Sequence, residues 1–245
     1  MMRCLSLLML TYALVMPAFA KPLVADISSH EITIHTSFDG TELTLFGARN
    51  EAGDIIVVIR GPKRDATVRR KEQISGMWVN HTQEVFYDIP GFYAMASSRP
   101  FEEIPKSLYF HPLSIGFDEA LLDNGMMEKP PEQRRVFQRA LLRDLRFKGL
   151  YATLPSKISF IGETLFKTTL PFPDNMPRGD YTAEVYLFSD GGLVGMQTTP
   201  IHVYKSGFDA FVYEAAHKDP LIYGLVAVML ALCSGWAVSA LFEKI

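Results

Sequence analysis

The chain has 245 residues, 48% hydrophobic and 21% charged, with a formal net charge of −3. This length and apolar content suffice for a substantial buried core, whereas the slight acidic excess argues against nucleic acid as a partner. The two cysteines, Cys4 and Cys233, both lie in apolar terminal segments, so residues 21–219 contain none. An exported domain without cysteine is more typical of a bacterial periplasm than of a eukaryotic cell surface.

The first 20 residues have the three parts of a secretory signal peptide. Arg3 supplies the positive start, residues 5–16 are apolar, and Ala18-Phe19-Ala20 has the small-x-small pattern of a cleavage site. An apolar stretch of about 12 residues is short for a membrane span. We therefore expect residues 1–20 to be removed and the following domain, 21–206, to be exported.

The exported domain has the period-two alternation of β-strands. Turn signals such as Asp39-Gly40 and Pro90-Gly91 separate the apolar runs, and Ser189-Asp190-Gly191-Gly192 is a strong hairpin signal. The predicted strands are 30–35, 41–46, 54–60, 77–79, 84–89, 92–96, 181–188 and 193–204. Strands of this length and spacing predict a mainly β domain with a sandwich architecture.

One short motif makes the sandwich prediction more specific. Gly179-Asp180-Tyr181 precedes the run Thr182–Val185, as the tyrosine corner does at the start of strand F in immunoglobulin-like domains. Ala183 stands where an antibody domain has cysteine. We therefore predict an immunoglobulin-like sandwich in which Tyr181 has a structural role.

An α-helical insert of about residues 115–150 is expected to interrupt the β pattern, with a short helix at 117–122 and a longer one at 132–148. Phe137, Leu141 and Leu145 repeat every four residues and form an apolar face on the longer helix. A basic stripe of arginines lies on another face: Arg135, Arg139, Arg143 and Arg146. The stripe is a candidate contact for anionic lipid or an acidic partner, and a solvated helix surface is the alternative.

The C-terminal part predicts a membrane anchor. Residues 221–242 carry no charge and would form a helix of about 33 Å, enough to cross a hydrocarbon core of about 30 Å. We expect a juxtamembrane linker at 207–219, a transmembrane helix at 220–242 and a cytoplasmic tail at 243–245. Because proline disfavours a helix interior, a break is predicted near 218–220.

The predicted anchor also has a stripe of small residues on one side. Its members are spaced by four: Ala227, Ala231, Gly235 and Ser239. Such stripes let transmembrane helices approach closely, so these residues are a candidate helix–helix contact. Since small residues are frequent throughout this segment, a chance alignment is the alternative.

No catalytic, cofactor-binding or metal-ligating motif is found. His30 and His35 would point to opposite faces of a strand, and no cysteine pair or glycine-rich phosphate loop is present. We therefore predict no cofactor, and we lean away from an enzyme. The acid pair Glu102-Glu103 is consistent with a solvated surface.

A basic and aromatic region in the first half of the domain is the remaining candidate site. The residues selected as contacts for an anion or an acidic partner are Arg60, Arg69, Arg70, Lys71 and Trp78. A solvated loop is the alternative for the basic run. In the aromatic stretches 77–80 and 85–96 apolar residues fall on both faces, which predicts burial by the sandwich on one face and by the insert or a partner on the other.

These stretches also carry a resemblance. The runs DIIVVIRGP, VRRKE, GMWVN and IPGFYAMASSRP, with a C-terminal YTAEVYLF hairpin and one apolar helix, resemble a family of alphaproteobacterial transmembrane proteins of unknown function. The resemblance covers nearly the whole mature chain. It implies a bacterial inner-membrane location, no assigned activity, and a sulfite-exporter-like membrane protein as a partner.

Two classes of function follow from these features. The first is a membrane-anchored periplasmic accessory protein that associates with an integral membrane transporter or complex. The second is a membrane-tethered periplasmic enzyme or small-ligand-binding module whose site is not visible as a motif. The small-residue stripe favours the first class, and proteins that co-purify with the full-length chain would discriminate between them.

Overall fold

The protein is mainly β in its computed structural model. The described residues are 21–35, 37–74, 76–104, 109–121, 131–205 and 216–242, and the side chains of 74, 80, 81, 131 and 237–242 also lie outside the description. The predicted signal peptide, the tail at 243–245 and most of the predicted linker therefore fall outside the described residues.

Twelve strands and two longer helices are present in the described residues. The strands are β1 (Leu23–Ile27), β2 (Glu31–Ile34), β3 (Thr41–Arg49), β4 (Asp54–Arg60), β5 (Lys63–Ile74), β6 (Met77–Pro90), β7 (Tyr93–Ser97), β8 (Ser156–Lys157), β9 (Ser159–Ile161), β10 (Leu165–Phe172), β11 (Gly179–Ser189) and β12 (Gly192–Lys205). The helices are α1 (Pro131–Phe147) and α2 (Pro220–Phe242).

Two sheets face each other around the first core. One has the strand order β1-β3-β10-β9 and the other β2-β12-β11-β4-β7-β8. Alternate side chains of both sheets, among them Leu45, Leu170, Val57 and Val185, form a single buried cluster between them. The period-two pattern therefore places one face of each sheet inward, and the predicted sandwich of two β-sheets is present.

The six-stranded sheet is buried on its other face as well. In β4, Ile55, Val57 and Ile59 belong to the first core, whereas Ile56 and Val58 belong to a second core. A continuous β-branched run is what a strand covered on both faces requires. The second core also contains residues from β6, β7 and α1. The expected burial on both faces is confirmed for residues 92–96, whereas in 85–90 Phe86 and Ile89 are buried and Tyr87 and Asp88 are exposed.

The β11–β12 hairpin forms at the predicted turn. Ser189 pairs with Gly192, and the two residues between them, Asp190 and Gly191, have φ of 49° and 78°. Positive φ at both central positions is the geometry of a type I′ turn, which matches the twist of a hairpin.

Tyr181 has the structural role that the sequence predicts. Its ring is fully buried, and its hydroxyl donates a hydrogen bond of 2.6 Å to the backbone carbonyl of Pro177, four residues upstream. Burial raises the pKa of this phenol well above its usual value, so the hydroxyl remains a donor at physiological pH.

The helical insert packs on the second core. Phe137, Leu141 and Leu145 of α1 are buried there, as the four-residue spacing predicts. The helix covers 131–147, one residue earlier at each end than expected. The short helix predicted at 117–122 is reduced to a 3-10 turn at Glu119–Leu121.

Several segments differ from the predictions. The basic run, for which a solvated loop was the alternative reading, lies in strand β5, which pairs with β6. The strands β1, β8, β9 and β10 have no counterpart among the predicted strands. The predicted strands 77–79 and 84–89 are parts of one strand, β6. The predicted break before the C-terminal helix is confirmed, since residues 216–218 are helical, Asp219 is not, and α2 begins at Pro220.

Candidate functional site

The β5–β6 hairpin forms a two-stranded ribbon that is separate from both sheets of the sandwich. We call residues 63–68 and 84–90 its base and residues 69–83 its tip. In the base, Phe86 and Ile89 are buried in the second core, and Ala66 and Val68 pack against the same core. In the tip, every residue whose side chain the structure describes is exposed or half-exposed. The base therefore holds the ribbon on the second core, and the tip extends away from this core.

Large apolar side chains are exposed at the end of the tip. Met77 is 68% exposed, Trp78 69% and Val79 37%. Because successive residues of a strand point to opposite faces, Trp78 lies on one face of the ribbon and Met77 and Val79 lie on the other. The end of the tip is thus apolar on both faces.

The predicted basic contacts Arg69, Arg70 and Lys71 lie just behind this apolar end. Lys71 pairs with Asn80, and Trp78 pairs with Gln73, two residues further along the same strand. Lys71 and Trp78 are therefore diagonal neighbours on one face. Arg70 forms an ion pair of 3.1 Å with Glu72. Lys71 is therefore the basic residue beside Trp78, whereas Arg69 lies further back on the same face and Arg70 lies on the opposite face.

Arg60 does not belong to this group. It lies at the end of β4, with its side chain only 17% exposed, and forms an ion pair with Glu184. Its guanidinium also donates to the carbonyls of Leu113, at 2.5 Å, and Ser114, at 3.1 Å. These partners occupy the positive charge, so Arg60 fixes segment 109–121 to the sheet.

Buried phenols complete this polar network. Tyr93 donates to the Ser114 carbonyl at 3.0 Å and accepts from the Gly116 amide at 2.9 Å, while Tyr186 donates to Glu184 at 2.5 Å. Burial raises the pKa of Tyr93 to about 12 and also raises the pKa of Tyr186. Both phenols are protonated at neutral pH, which suits a structural network.

The arginine stripe of α1 is exposed over most of its length. Arg135, Arg139 and Arg143 face outward, and the Arg139 side chain donates to the Arg135 carbonyl at 3.2 Å. Arg146 departs from the stripe because its guanidinium lies 5.2 Å from the centre of the Phe117 ring. The stripe therefore has three members available to an external contact.

A further surface was not predicted. On the outer face of the four-stranded sheet, four exposed apolar side chains border a shallow groove of about 530 Å³. We call this surface the outer sheet patch, and its members are Val24, Phe46, Ile161 and Leu165, each between 48% and 54% exposed. It was missed because Val24 and Leu165 lie at outward positions of β1 and β10, two strands that the sequence did not predict.

The C-terminal helix exposes apolar side chains in all directions. Successive residues such as Leu225, Val226, Val228, Met229 and Leu230 are all between 49% and 67% exposed. In the small-residue stripe, Ala227, Ala231 and Gly235 are also exposed, whereas the side chain of Ser239 lies outside the description. The stripe residues therefore contact no other part of the described chain closely enough to bury them.

A family model matches residues 22–244, nearly the whole chain. The family is described as "Putative transmembrane protein (Alph_Pro_TM)". The chain belongs to this family. The resemblance noted from GMWVN and IPGFYAMASSRP is thus confirmed. A search of curated proteins gives no match.

Membership of a transmembrane family does not by itself identify the spanning segment. Within the part of the chain that the structure describes, no helix is both long enough and apolar enough to cross a membrane. The predicted span at 220–242 is therefore not confirmed by the structure. Among the described residues there is also no group of three His, Cys, Asp or Glu side chains that could hold a metal ion.

Proposed function

We propose that the protein is a membrane-anchored accessory protein of the bacterial inner membrane, with its β domain in the periplasm and an integral membrane protein as its partner. The observation that carries this proposal is the all-round exposure of apolar side chains on α2. So much apolar surface on one helix requires a cover, which lipid or a second apolar helix provides.

The sequence of α2 supports lipid as that cover. Residues 221–242 are 22 consecutive positions without a charged side chain, and about 20 are needed to span a bilayer. Asp219 precedes the run, and Glu243-Lys244 follows it. The family description agrees with an anchor of this kind.

The proposal extends to the fold of the exported domain, which we assign as immunoglobulin-like. The order β1-β3-β10-β9 has the A-B-E-D arrangement, and β12-β11-β4-β7 has the G-F-C-C′ arrangement. The Tyr181 hydrogen bond to Pro177 is the tyrosine corner expected at strand F.

Two features support a protein partner. The outer sheet patch presents uncovered apolar side chains on a face that nothing else in the described chain occupies. The small residues Ala227, Ala231 and Gly235 would let a second transmembrane helix pack closely against α2. A transporter of the sulfite-exporter type, which the family resemblance suggests, is the first candidate to examine.

Anchoring is tested by placing charges in α2. Val228→Arg with Leu232→Arg puts two charges near the helix centre, each unfavourable by about 3 kcal/mol for membrane insertion. We expect the full-length double variant to leave the membrane fraction on an alkaline wash, whereas wild type remains. The matched control is Val136→Arg with Phe147→Arg, at exposed apolar positions of α1. If the α2 variant stays in the membrane as wild type does, the anchor assignment is wrong.

Partner binding is tested by enlarging the small-residue stripe. Ala231→Ile with Gly235→Ile should reduce co-purification of the partner from native membranes in mild detergent by about tenfold or more, because the helices can no longer approach closely. Val226→Ile with Cys233→Ile enlarges the opposite side of α2 and should leave co-purification unchanged. Equal recovery of all partners in both variants would contradict a role for the stripe.

A further inference from the structure

The tip of the β5–β6 ribbon combines exposed large apolar side chains with a cluster of basic residues. Trp78 and Met77 are each more than two-thirds exposed, although side chains of this kind are normally buried. In the sequence of the tip, residues 69–83, three residues are Arg or Lys and one, Glu72, is acidic. An exposed tryptophan beside a basic cluster is typical of segments that lie at a membrane interface.

The distribution of the apolar side chains decides what kind of surface fits. A flat protein surface covers only one face of a ribbon, so docking on such a surface uses apolar residues on one face. Here Trp78 lies on one face, whereas Met77 and Val79 lie on the other. An environment that surrounds the end of the ribbon would cover all three, and the interfacial region of a bilayer is such an environment.

The spacing along the ribbon matches the layers of a bilayer interface. Lys71 lies about 7 Å and Arg69 about 13 Å behind the level of Trp78, at about 3.3 Å per residue. Apolar faces of interfacial segments enter the headgroup and acyl boundary by about 5–10 Å. Insertion of Trp78 to that depth would place the basic residues at the level of the lipid phosphates.

We propose that the tip of the β5–β6 ribbon is a second membrane contact, which inserts Trp78 and Met77 into the interface of an anionic bilayer. Arg69, Arg70 and Lys71 then lie against the headgroup phosphates. The contact is reversible and depends on lipid charge, unlike the anchor proposed for α2. The base of the ribbon, held by Phe86 and Ile89, gives the tip a rigid support.

The chain offers a direct spectroscopic test because Trp78 and Trp236 are its two tryptophans. Trp236→Phe leaves Trp78 as the single emitter in the full-length protein. This variant is reconstituted in lipid nanodiscs that contain brominated acyl chains, with phosphatidylcholine alone or with a third of it replaced by phosphatidylglycerol. We expect a blue shift and bromine quenching of Trp78 in the anionic discs, with both effects reduced at high salt.

Two triple variants, one in the tip and one in α1, test whether the basic residues of the tip are responsible for its insertion. Arg69→Gln, Arg70→Gln and Lys71→Gln together should lower the ratio of inserted to free tip by on the order of 100-fold, since each basic residue adds to attraction by an anionic leaflet. Arg135→Gln, Arg139→Gln and Arg143→Gln remove the same charge from the exposed stripe of α1. This second variant should leave Trp78 quenching unchanged.

Any one of three other outcomes overturns the proposal. Trp78 emission that stays water-like in both disc types shows that the tip does not insert, and equal loss of quenching in the two triple variants shows a general charge effect. Shielding of Trp78 that appears only on addition of the co-purified partner identifies a protein contact instead. The reciprocal variant Trp78→Phe reports on α2 through Trp236, so failure of the anchor is distinguishable from failure of the tip.

Discussion

The base and the tip of the β5–β6 ribbon are made by the same two strands, yet they differ in almost every physical respect. The base contributes Phe86 and Ile89, both at most 2% exposed, to the second core. The tip carries Met77 and Trp78 with more than two-thirds of their surface in solvent. Backbone pairing is continuous through both, with register shifts at Arg64/Ala66 and Arg70/Lys71.

This difference shows that strand pairing alone does not determine how much an apolar side chain contributes to the stability of the domain. In the base, apolar burial contributes to the stability of the whole domain. In the tip, the same kind of side chain contributes little to stability, because an isolated two-stranded ribbon has no core of its own. Exposed apolar side chains in the tip therefore call for a functional explanation.

The largest expected difference between base and tip is in thermodynamic stability. Phe86→Ala removes a fully buried ring and should lower the free energy of unfolding by about 3–5 kcal/mol, or roughly 10 °C in Tm. Trp78→Ala should change it by no more than about 0.5 kcal/mol. Thermal and urea unfolding measure both. A loss of comparable size in the two variants would show that the tip packs on the domain.

A buried basic residue in the sheet and an exposed one in the tip should also differ in their contribution to stability. Arg60→Gln leaves Glu184 without its ion-pair partner in a mostly buried site and should cost roughly 2–4 kcal/mol of stability. Arg69→Gln, in the tip, should have an effect within about 0.5 kcal/mol. Urea titration of the two variants provides the measurement. A neutral Arg60→Gln would indicate that the network with Glu184 is not structural.

The smallest expected effect is a loss of stability at alkaline pH, caused by Tyr93 in the second core on which the base packs. Tyr93, in the second core, has its pKa raised to about 12 by burial, against about 10 when unfolded. Above pH 10 the unfolded chain releases this proton and the folded chain does not. Stability should therefore fall by up to about 1 kcal/mol per pH unit between pH 10 and 12. Tm measured from pH 8 to 11 should show this fall, and Tyr93→Phe should weaken it.

The sandwich and its inserted helix could be predicted because each depends on a local pattern. The β-branched run of β4 requires cover on both faces, Asp190-Gly191 specifies the hairpin turn, and the spacing of Phe137 and Leu141 specifies the buried face of α1. The strand β5 was missed because alternating Arg and Lys residues give no apolar period. The strand β10 was missed because Thr168 and Pro171 interrupt its pattern, although Thr168 is buried.

The candidate sites were predicted less well than the fold. The sequence grouped Arg60 with Arg69–Lys71, whereas the structure assigns Arg60 to a buried network. The sequence predicted that the stretch 77–80 is covered by the insert or a partner, with Trp78 as a contact. In the described chain the insert does not cover Met77 and Trp78, because exposure at the end of a ribbon depends on where the supporting core stops. That limit is a tertiary property, set by Phe86 and its neighbours, and no local pattern in residues 77–79 reports it.

The register shifts of the ribbon have a consequence for solubility. A two-stranded ribbon has two unpaired backbone edges, and such edges can pair with those of another molecule and start aggregation. Many copies held in one bilayer would meet edge to edge more often than copies in solution. The bulges, whose extra residues lie on β6, increase the twist of the ribbon. On β5, a repulsive charge comes from Lys63, Arg64, Arg69, Arg70 and Lys71. The same basic residues that suit a lipid surface thus keep neighbouring ribbons apart.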